Sequence, residues 1–132
     1  MDEVIVSPTV HLTAGVGVLL TSLGALAVTG QGVRVRRAFG RPEHLALVLA
    51  QVALLVQALI GIKLLDQGFG TVQKYVHYLG GLGALALLLL PVWLPARLRR
   101  PALPAWTATA SLVFIGMTFF IGQLYVRGLQ NG

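Results

Sequence analysis

The segment QKYVHYLGGLGALALLLL, residues 73–90, carries one histidine, His77, close to the start of a long apolar run. An ionisable side chain at membrane depth is costly, so His77 is by default a candidate functional residue. The first apolar segment begins in the same way, because His11 is followed by Gly15 as His77 is followed by Gly81. This weak internal repeat is consistent with duplication of a two-helix unit.

The composition predicts a membrane protein. Of the 132 residues 56% are hydrophobic and 11% are charged, whereas a soluble domain has about 25% charged residues. Four apolar segments reach the roughly 20 residues that a helix needs to cross a bilayer: residues 8–29, 43–65, 74–95 and 105–126. We therefore predict an all-α polytopic protein with one up-down four-helix transmembrane domain, residues 1–132. The first segment lacks a basic n-region and a cleavage site, so we expect it to be retained.

The net charge of +6 is concentrated in two short connections between apolar segments. Seven arginines lie there: Arg34, Arg36, Arg37, Arg41, Arg97, Arg99 and Arg100. Basic loops of this kind mark the cytoplasmic side of a membrane protein, so their placement argues against a nucleic-acid partner. We predict a multi-pass protein of the bacterial inner (plasma) membrane with both termini outside, periplasmic or extracellular. The arginines are predicted to set topology and to contact lipid headgroups.

His11 and His77 are predicted to lie at similar depth on diagonal helices, because each follows its helix start by three residues. Neighbouring helix axes are about 8–10 Å apart, so the diagonal is roughly 11–14 Å. That gap is too wide for a direct hydrogen bond between imidazoles, and it suits a planar macrocycle whose iron takes an imidazole from each side. A single small metal ion needs more ligands. We therefore expect a b-type haem with His11 and His77 as metal ligands.

Other residues near the same level are candidate haem contacts. Each helix offers one glycine there: Gly15, Gly61, Gly81 and Gly122. Glycine removes side-chain bulk and lets a backbone approach a ligand closely. Three cations lie just outside them, where they could pair with propionates: Lys63, Lys74 and Arg127. The alternatives are that the glycines only pack helices together and that the cations only snorkel to the interface.

The remaining polar residues of the apolar segments have simpler interpretations. His44 opens the second segment beside the arginines and next to Glu43, so we expect an interfacial or capping role. Gln57 and Gln123 lie within apolar segments, where such amides commonly form hydrogen bonds between helices. A contact of these amides with a quinone is the alternative.

The stretch from His11 to Leu90 resembles one half of a haem A synthase. The likeness lies in a histidine that starts a helix from the outer face, a basic inner loop, the segment LAQVALLVQALIGIKLL (residues 49–65), a short outer loop, and a second such helix with His77. Each half of these enzymes is a four-helix bundle whose paired histidines hold a haem. The resemblance therefore implies that His11 and His77 are the axial pair. The chain also looks like a minimal membrane b-type cytochrome.

The chain departs from that family beside the first histidine. The family has a glutamate shortly before it and usually an arginine just after it, whereas this chain has Pro8, Thr9 and Val10 before His11, and Leu12 after it. The resemblance therefore implies the haem-binding scaffold more than the synthase activity, and an electron carrier or a subunit is expected rather than an enzyme.

The sequence leads to three functional hypotheses. The first is a small integral-membrane haem protein that serves electron transfer or haem handling, or is a subunit beside a respiratory enzyme. The second is a cofactor-free structural or assembly subunit of a larger membrane complex, and the third is a haem A synthase-like enzyme. The expected partners are the lipid bilayer, with respiratory-chain membrane proteins, a quinone or a second copy as further candidates, and no nucleic acid.

Overall fold

A computed structural model of the chain describes residues 5–68 and 74–131. Four α-helices form nearly all of this part: α1 Pro8–Arg34, α2 Arg41–Asp66, α3 Lys74–Trp93 and α4 Leu103–Asn131. One 3-10 turn, Ala96–Leu98, lies between α3 and α4, and the described residues contain no strand. The prediction of an all-α protein with four helices is confirmed.

The helix boundaries lie within two residues of the prediction except at two ends: α1 ends at Arg34 rather than at residue 29, and α4 ends at Asn131 rather than at residue 126. Helix α1 begins at Pro8 as expected, because proline has no amide hydrogen to leave unpaired in a first turn. It continues past residue 29 to Arg34, through a glycine-containing stretch that the sequence predicts to be a loop. Gly32 allows this, because a Cβ there would lie 2.8 Å from the Glu43 carboxylate of α2. The last turn of α1 therefore packs closely against the start of α2.

The helices form a bundle in which α1 and α3 are diagonal. Helix α1 packs against α2 and α4, and α3 packs against α4 and α2. The buried core is made of small and aliphatic side chains, chief among them Val18, Ala25, Leu47, Ala50, Ala84 and Leu88. This arrangement places one face of α1 and one face of α3 toward the same interior.

Polar side chains in the interior bind main-chain oxygens of neighbouring helices. Gln51 of α2 donates from Nε2 to the carbonyl oxygen of Leu88 on α3 at 2.8 Å. Ser111 of α4 donates from Oγ to the carbonyl oxygen of Ala84 at 2.9 Å. Such bonds satisfy polar groups in an apolar medium and fix the register between helices.

The outer surface of the bundle is largely apolar. Large aliphatic side chains are strongly exposed on all four helices, among them Leu20, Leu59, Leu79 and Val113. Three helical segments are long and apolar enough to cross a membrane by length and composition: α1, α2 and residues Leu103–Leu124 of α4. The apolar part of α3, His77–Trp93, is shorter. Contiguous apolar surface of this extent is rare on soluble monomers and is compatible with a lipid environment.

The two arginine-bearing connections meet at one end of the bundle. The Arg99 guanidinium lies 5.2 Å from the centre of the Phe39 ring. The buried Glu43 carboxylate accepts hydrogen bonds from Nε of Arg37 at 2.9 Å and from the Gly40 amide at 2.9 Å. Arg37 and Arg99 therefore hold the two connections in place, a structural role beyond the topological one that the sequence indicates.

Replacing Arg37 with glutamine is expected to lower the free energy of unfolding by about 1–3 kcal/mol, because it leaves the buried Glu43 carboxylate without its charged partner. The loss is smaller than for a fully buried pair, since the Arg37 side chain is 46% exposed. Thermal unfolding in a mild detergent measures it. The matched control is Arg36→Gln, which removes an exposed neighbouring charge. Equal melting temperatures for the two variants would show that the ion pair contributes nothing.

Candidate functional site

His11 and His77 are brought together inside the bundle. Their ring centroids lie 6.1 Å apart, with the ring planes inclined by 55°. His11 lies in the first turns of α1 and His77 in the first turns of α3, and both side chains are half-buried. The contact between the two rings is consistent with the similar depth that their sequence positions predict. Each imidazole forms its hydrogen bond with a neighbouring helix.

His77 is held by the main chain of α4. Its Nδ1 lies 3.2 Å from the carbonyl oxygen of Thr118. A carbonyl oxygen can only accept, so Nδ1 carries the proton and Nε2 keeps its lone pair. This is the arrangement in which histidines usually bind metals, because the second hydrogen bond fixes both tautomer and ring orientation. The Thr118 contact has no signal in the sequence, since any residue supplies a carbonyl oxygen.

His11 is held by a side chain of α2. Its Nε2 lies 3.2 Å from Nε2 of Gln57. In this orientation the amide must donate and the ring nitrogen accept, which places the proton of His11 on Nδ1. That Nδ1 is buried without a partner, and so is Oε1 of Gln57. A buried donor and a buried acceptor are therefore both unsatisfied within one pair of contacting side chains, which is rare in folded proteins.

The four candidate glycines have three kinds of surroundings. A Cβ at Gly61 of α2 would lie 3.2 Å from Cε1 of His11, and a Cβ at Gly122 of α4 would lie 3.9 Å from Cε1 of His77. A Cβ at Gly15 would instead lie 3.3 Å from the Gln57 amide nitrogen. A Cβ at Gly81 would have no atom within 4 Å beyond its own helix. Gly61 and Gly122 therefore line the imidazoles, Gly15 lines Gln57, and Gly81 faces open space.

The site has internal two-fold similarity. In the first hairpin, His11 of α1 meets Gln57 and, four residues later, Gly61 of α2. In the second hairpin, His77 of α3 meets Thr118 and, four residues later, Gly122 of α4. Residues four apart lie on the same helix face. In each hairpin the histidine of the first helix therefore contacts one face of the second helix. The weak repeat in the sequence corresponds to two similar halves of one site.

The structure describes the side chains of two of the three candidate cations. Lys63 forms an ion pair with Asp66 of its own helix at 3.3 Å. Arg127 is exposed on α4. Lys74 begins α3, and its side chain lies outside the described part. His44 is exposed at the arginine end, where its ring lies edge-on to Phe39 at 6.4 Å, so it is separate from the histidine pair.

The potential ligand residues of the site can be compared with the number of ligands that a metal ion requires. Among residues 5–68 and 74–131 there is no group of three or more His, Cys, Asp or Glu side chains that could hold a metal ion. Two imidazoles alone do not complete a tetrahedral site. A metal–imidazole bond is about 2 Å and the ring centre lies about 1 Å beyond the nitrogen, so two imidazoles on one iron have centroids about 6 Å apart. The observed 6.1 Å matches that spacing in distance, while Nε2 of His11 is turned toward Gln57.

No protein-family model, no curated protein and no solved structure matches this chain. The fold and the site define the class by themselves: a small all-α protein with helices apolar enough to span a membrane and two histidines paired between diagonal helices.

Proposed function

We propose that this protein is a small integral-membrane haem protein in which His11 and His77 ligate one iron from opposite sides. The single observation that carries the proposal is the 6.1 Å separation of the two imidazole centroids, which suits two ligands of one iron. A haem held in this way supplies one-electron transfer, and its potential responds to burial and to hydrogen bonds on the ligands. The cellular role is electron transfer, haem handling or membership of a respiratory complex.

His77 supports the proposal by its hydrogen bond. The Thr118 carbonyl oxygen accepts the Nδ1 proton and so makes the opposite nitrogen more basic and fixes the ring. The bond costs the site nothing on binding, because it already exists in the described structure. His77 is therefore the preorganised ligand of the pair.

His11 needs one rearrangement, and the unpaired atoms beside it indicate which. If the ring and the Gln57 amide both turn, so that Nδ1 of His11 donates to Oε1 of Gln57, the two buried unpaired atoms pair with each other and Nε2 of His11 becomes free. His11 then has the same arrangement as His77, with a side-chain carbonyl in place of a main-chain one. We infer that Gln57 is the residue that positions His11.

The glycines supply the room. Helices α2 and α4 flank the line between the two histidines, and each places a glycine, Gly61 or Gly122, against an imidazole. A flat macrocycle between the imidazoles would extend toward these two helices, where side chains would obstruct its edges.

The decisive experiment is an absorption spectrum of the purified protein, with the haem quantified against the protein. We expect a Soret band and, on reduction, sharp α and β bands of low-spin bis-histidine iron. A protein that stays colourless after reconstitution with haemin would contradict the proposal and favour a cofactor-free structural or assembly subunit. Conversion of haem O to haem A by the purified protein would instead identify a haem A synthase-like enzyme.

Replacing Gln57 with leucine is expected to weaken haem binding about tenfold, the usual effect of losing a hydrogen-bond partner of a metal-bound histidine. Gln57→Glu keeps an acceptor for the Nδ1 proton of His11, so it should retain haem better than Gln57→Leu. Titration of the haem-free variants with haemin measures both. Equal affinities for the leucine variant and the wild type would remove Gln57 from the site.

We further propose that all four helices span the bacterial inner membrane with both termini outside. Helix α3 has 20 residues, which cover about 30 Å, the thickness of a hydrocarbon core. The seven arginines lie at one end of the bundle, and that end belongs on the cytoplasmic side.

This orientation predicts opposite labelling of two single cysteines. A cysteine at Gln130 should react with an impermeant maleimide in intact cells, and one at Ala38 should react only after permeabilisation, because Ala38 lies among the arginines. The reverse pattern would contradict the orientation.

A further inference from the structure

The arginine end of the bundle contains an open groove of about 590 Å³. It is lined by Phe39, Gly40, Arg41, His44 and Leu45, where the first connection enters α2. The groove is at the opposite end of the helices from the histidine pair and shares no residue with it. Its function is therefore independent of whether the protein binds haem.

The groove is electropositive. In the segments that form this end, residues 34–45 and 94–103, Glu43 is the sole acidic residue. Its carboxylate is already bonded to Arg37 and to the Gly40 amide, so it does not neutralise the groove. The polar side chains that line the groove, Arg41 and His44, are both exposed there and are free to meet an anion from the outside.

A stripe of exposed apolar side chains extends from the groove along α2. Leu45, which lines the groove, is 65% exposed, and the same helix face continues through Leu49, Val52 and Val56, which are 59%, 50% and 47% exposed. These residues are spaced by three or four and so form one stripe. On the other side, Arg99 packs over Phe39 and holds that wall of the groove in place. The basic groove is therefore continuous with the apolar stripe on α2.

We propose that this groove binds one anionic phospholipid. Arg41 and His44 bind its phosphate, and Phe39 and Leu45 contact the glycerol region and the start of an acyl chain. The rest of the chain lies along the α2 stripe toward the membrane interior. Guanidinium binds phosphate through paired, charge-assisted hydrogen bonds, and the apolar stripe selects an ion that carries a hydrocarbon tail.

The test counts lipid retained by the purified protein in mild detergent, by native mass spectrometry after incubation with phosphatidylglycerol or phosphatidylcholine. The wild type should retain phosphatidylglycerol in clear preference. Arg41→Gln should lower that retention about five- to tenfold, while the control Arg97→Gln, which removes an exposed arginine at the same end outside the groove, should leave it unchanged. Equal losses in the two variants, or equal retention of the two lipids, would overturn the proposal.

Two further measurements distinguish a lipid bound in the groove from a bare anion or a lipid bound elsewhere. Leu45→Trp fills the groove without changing its charge, so it should also lower retention, and it remains informative if Arg41→Gln fails to insert. Inorganic phosphate in large excess should not displace the lipid. Displacement by phosphate would show that the site recognises a bare anion, and full retention in Leu45→Trp would show that the lipid lies elsewhere; either result overturns the proposal.

Discussion

Replacing His77 with alanine is expected to reduce haem bound to the purified protein to below about a tenth of the wild-type level, since it removes the preorganised ligand. His77 already has its Nδ1 proton engaged by the Thr118 carbonyl oxygen, so binding at this ligand requires no rearrangement. The haem-to-protein ratio after purification, and the same ratio after reconstitution with haemin, measure the loss.

The partner variant His11→Ala is expected to lose the low-spin spectrum as well, but to keep part of its haem in five-coordinate, high-spin form. The reason is that His11 must first exchange its bond with Nε2 of Gln57 for one with Oε1, so it contributes less to affinity than His77. The control is His44→Ala, at the arginine end, which should keep the wild-type spectrum. If the His44 variant lost its haem spectrum while the His11 variant kept it, the haem would lie at the arginine end, and our proposal would be wrong.

Replacing Gly61 with leucine is expected to lower haem occupancy at least about tenfold, because the added side chain fills the space against His11. A Cβ alone would lie 3.2 Å from the His11 ring, and a leucine extends further. The measurement is haem occupancy together with helix content by circular dichroism, so that loss of fold is distinguished from loss of the site.

The matched control is Gly17→Leu, on α1, where an added Cβ meets no atom within 4 Å. This variant should keep its haem. If both glycine variants retain haem, the glycines serve helix packing only and the room for the macrocycle lies elsewhere. If both lose haem with normal helix content, the effect of leucine does not depend on contact with the imidazole.

The position of the two histidines also predicts the side of the membrane from which electrons would reach the haem. Both lie near the helix ends that are remote from the arginines, so in the proposed orientation the haem lies in the outer leaflet. A donor or acceptor would then approach from the outer side or within the membrane. The groove at the arginine end lies on the other side and would anchor the protein through lipid without competing for that approach.

Much of the fold could be predicted because it depends on local chemistry. The length and hydropathy of the apolar segments, the first-turn proline at Pro8 and the placement of the arginines indicated four helices, and the structure has them. The extension of α1 to Arg34 was not predicted, and this last turn packs Gly32 against Glu43 of α2. A contact of this kind between two helices leaves no mark in the sequence of either helix end.

The sequence by itself determined the helical content, the likeness of the two hairpins and the choice of His11 and His77, because hydropathy and the His-x-x-x-Gly spacing are properties of single segments. Only the tertiary structure decided what each imidazole contacts. His77 meets a main-chain carbonyl of Thr118 and His11 meets the Gln57 amide, and both contacts join residues more than forty positions apart. Such pairs form when helices pack in one register, and many registers satisfy the same pattern of apolar residues.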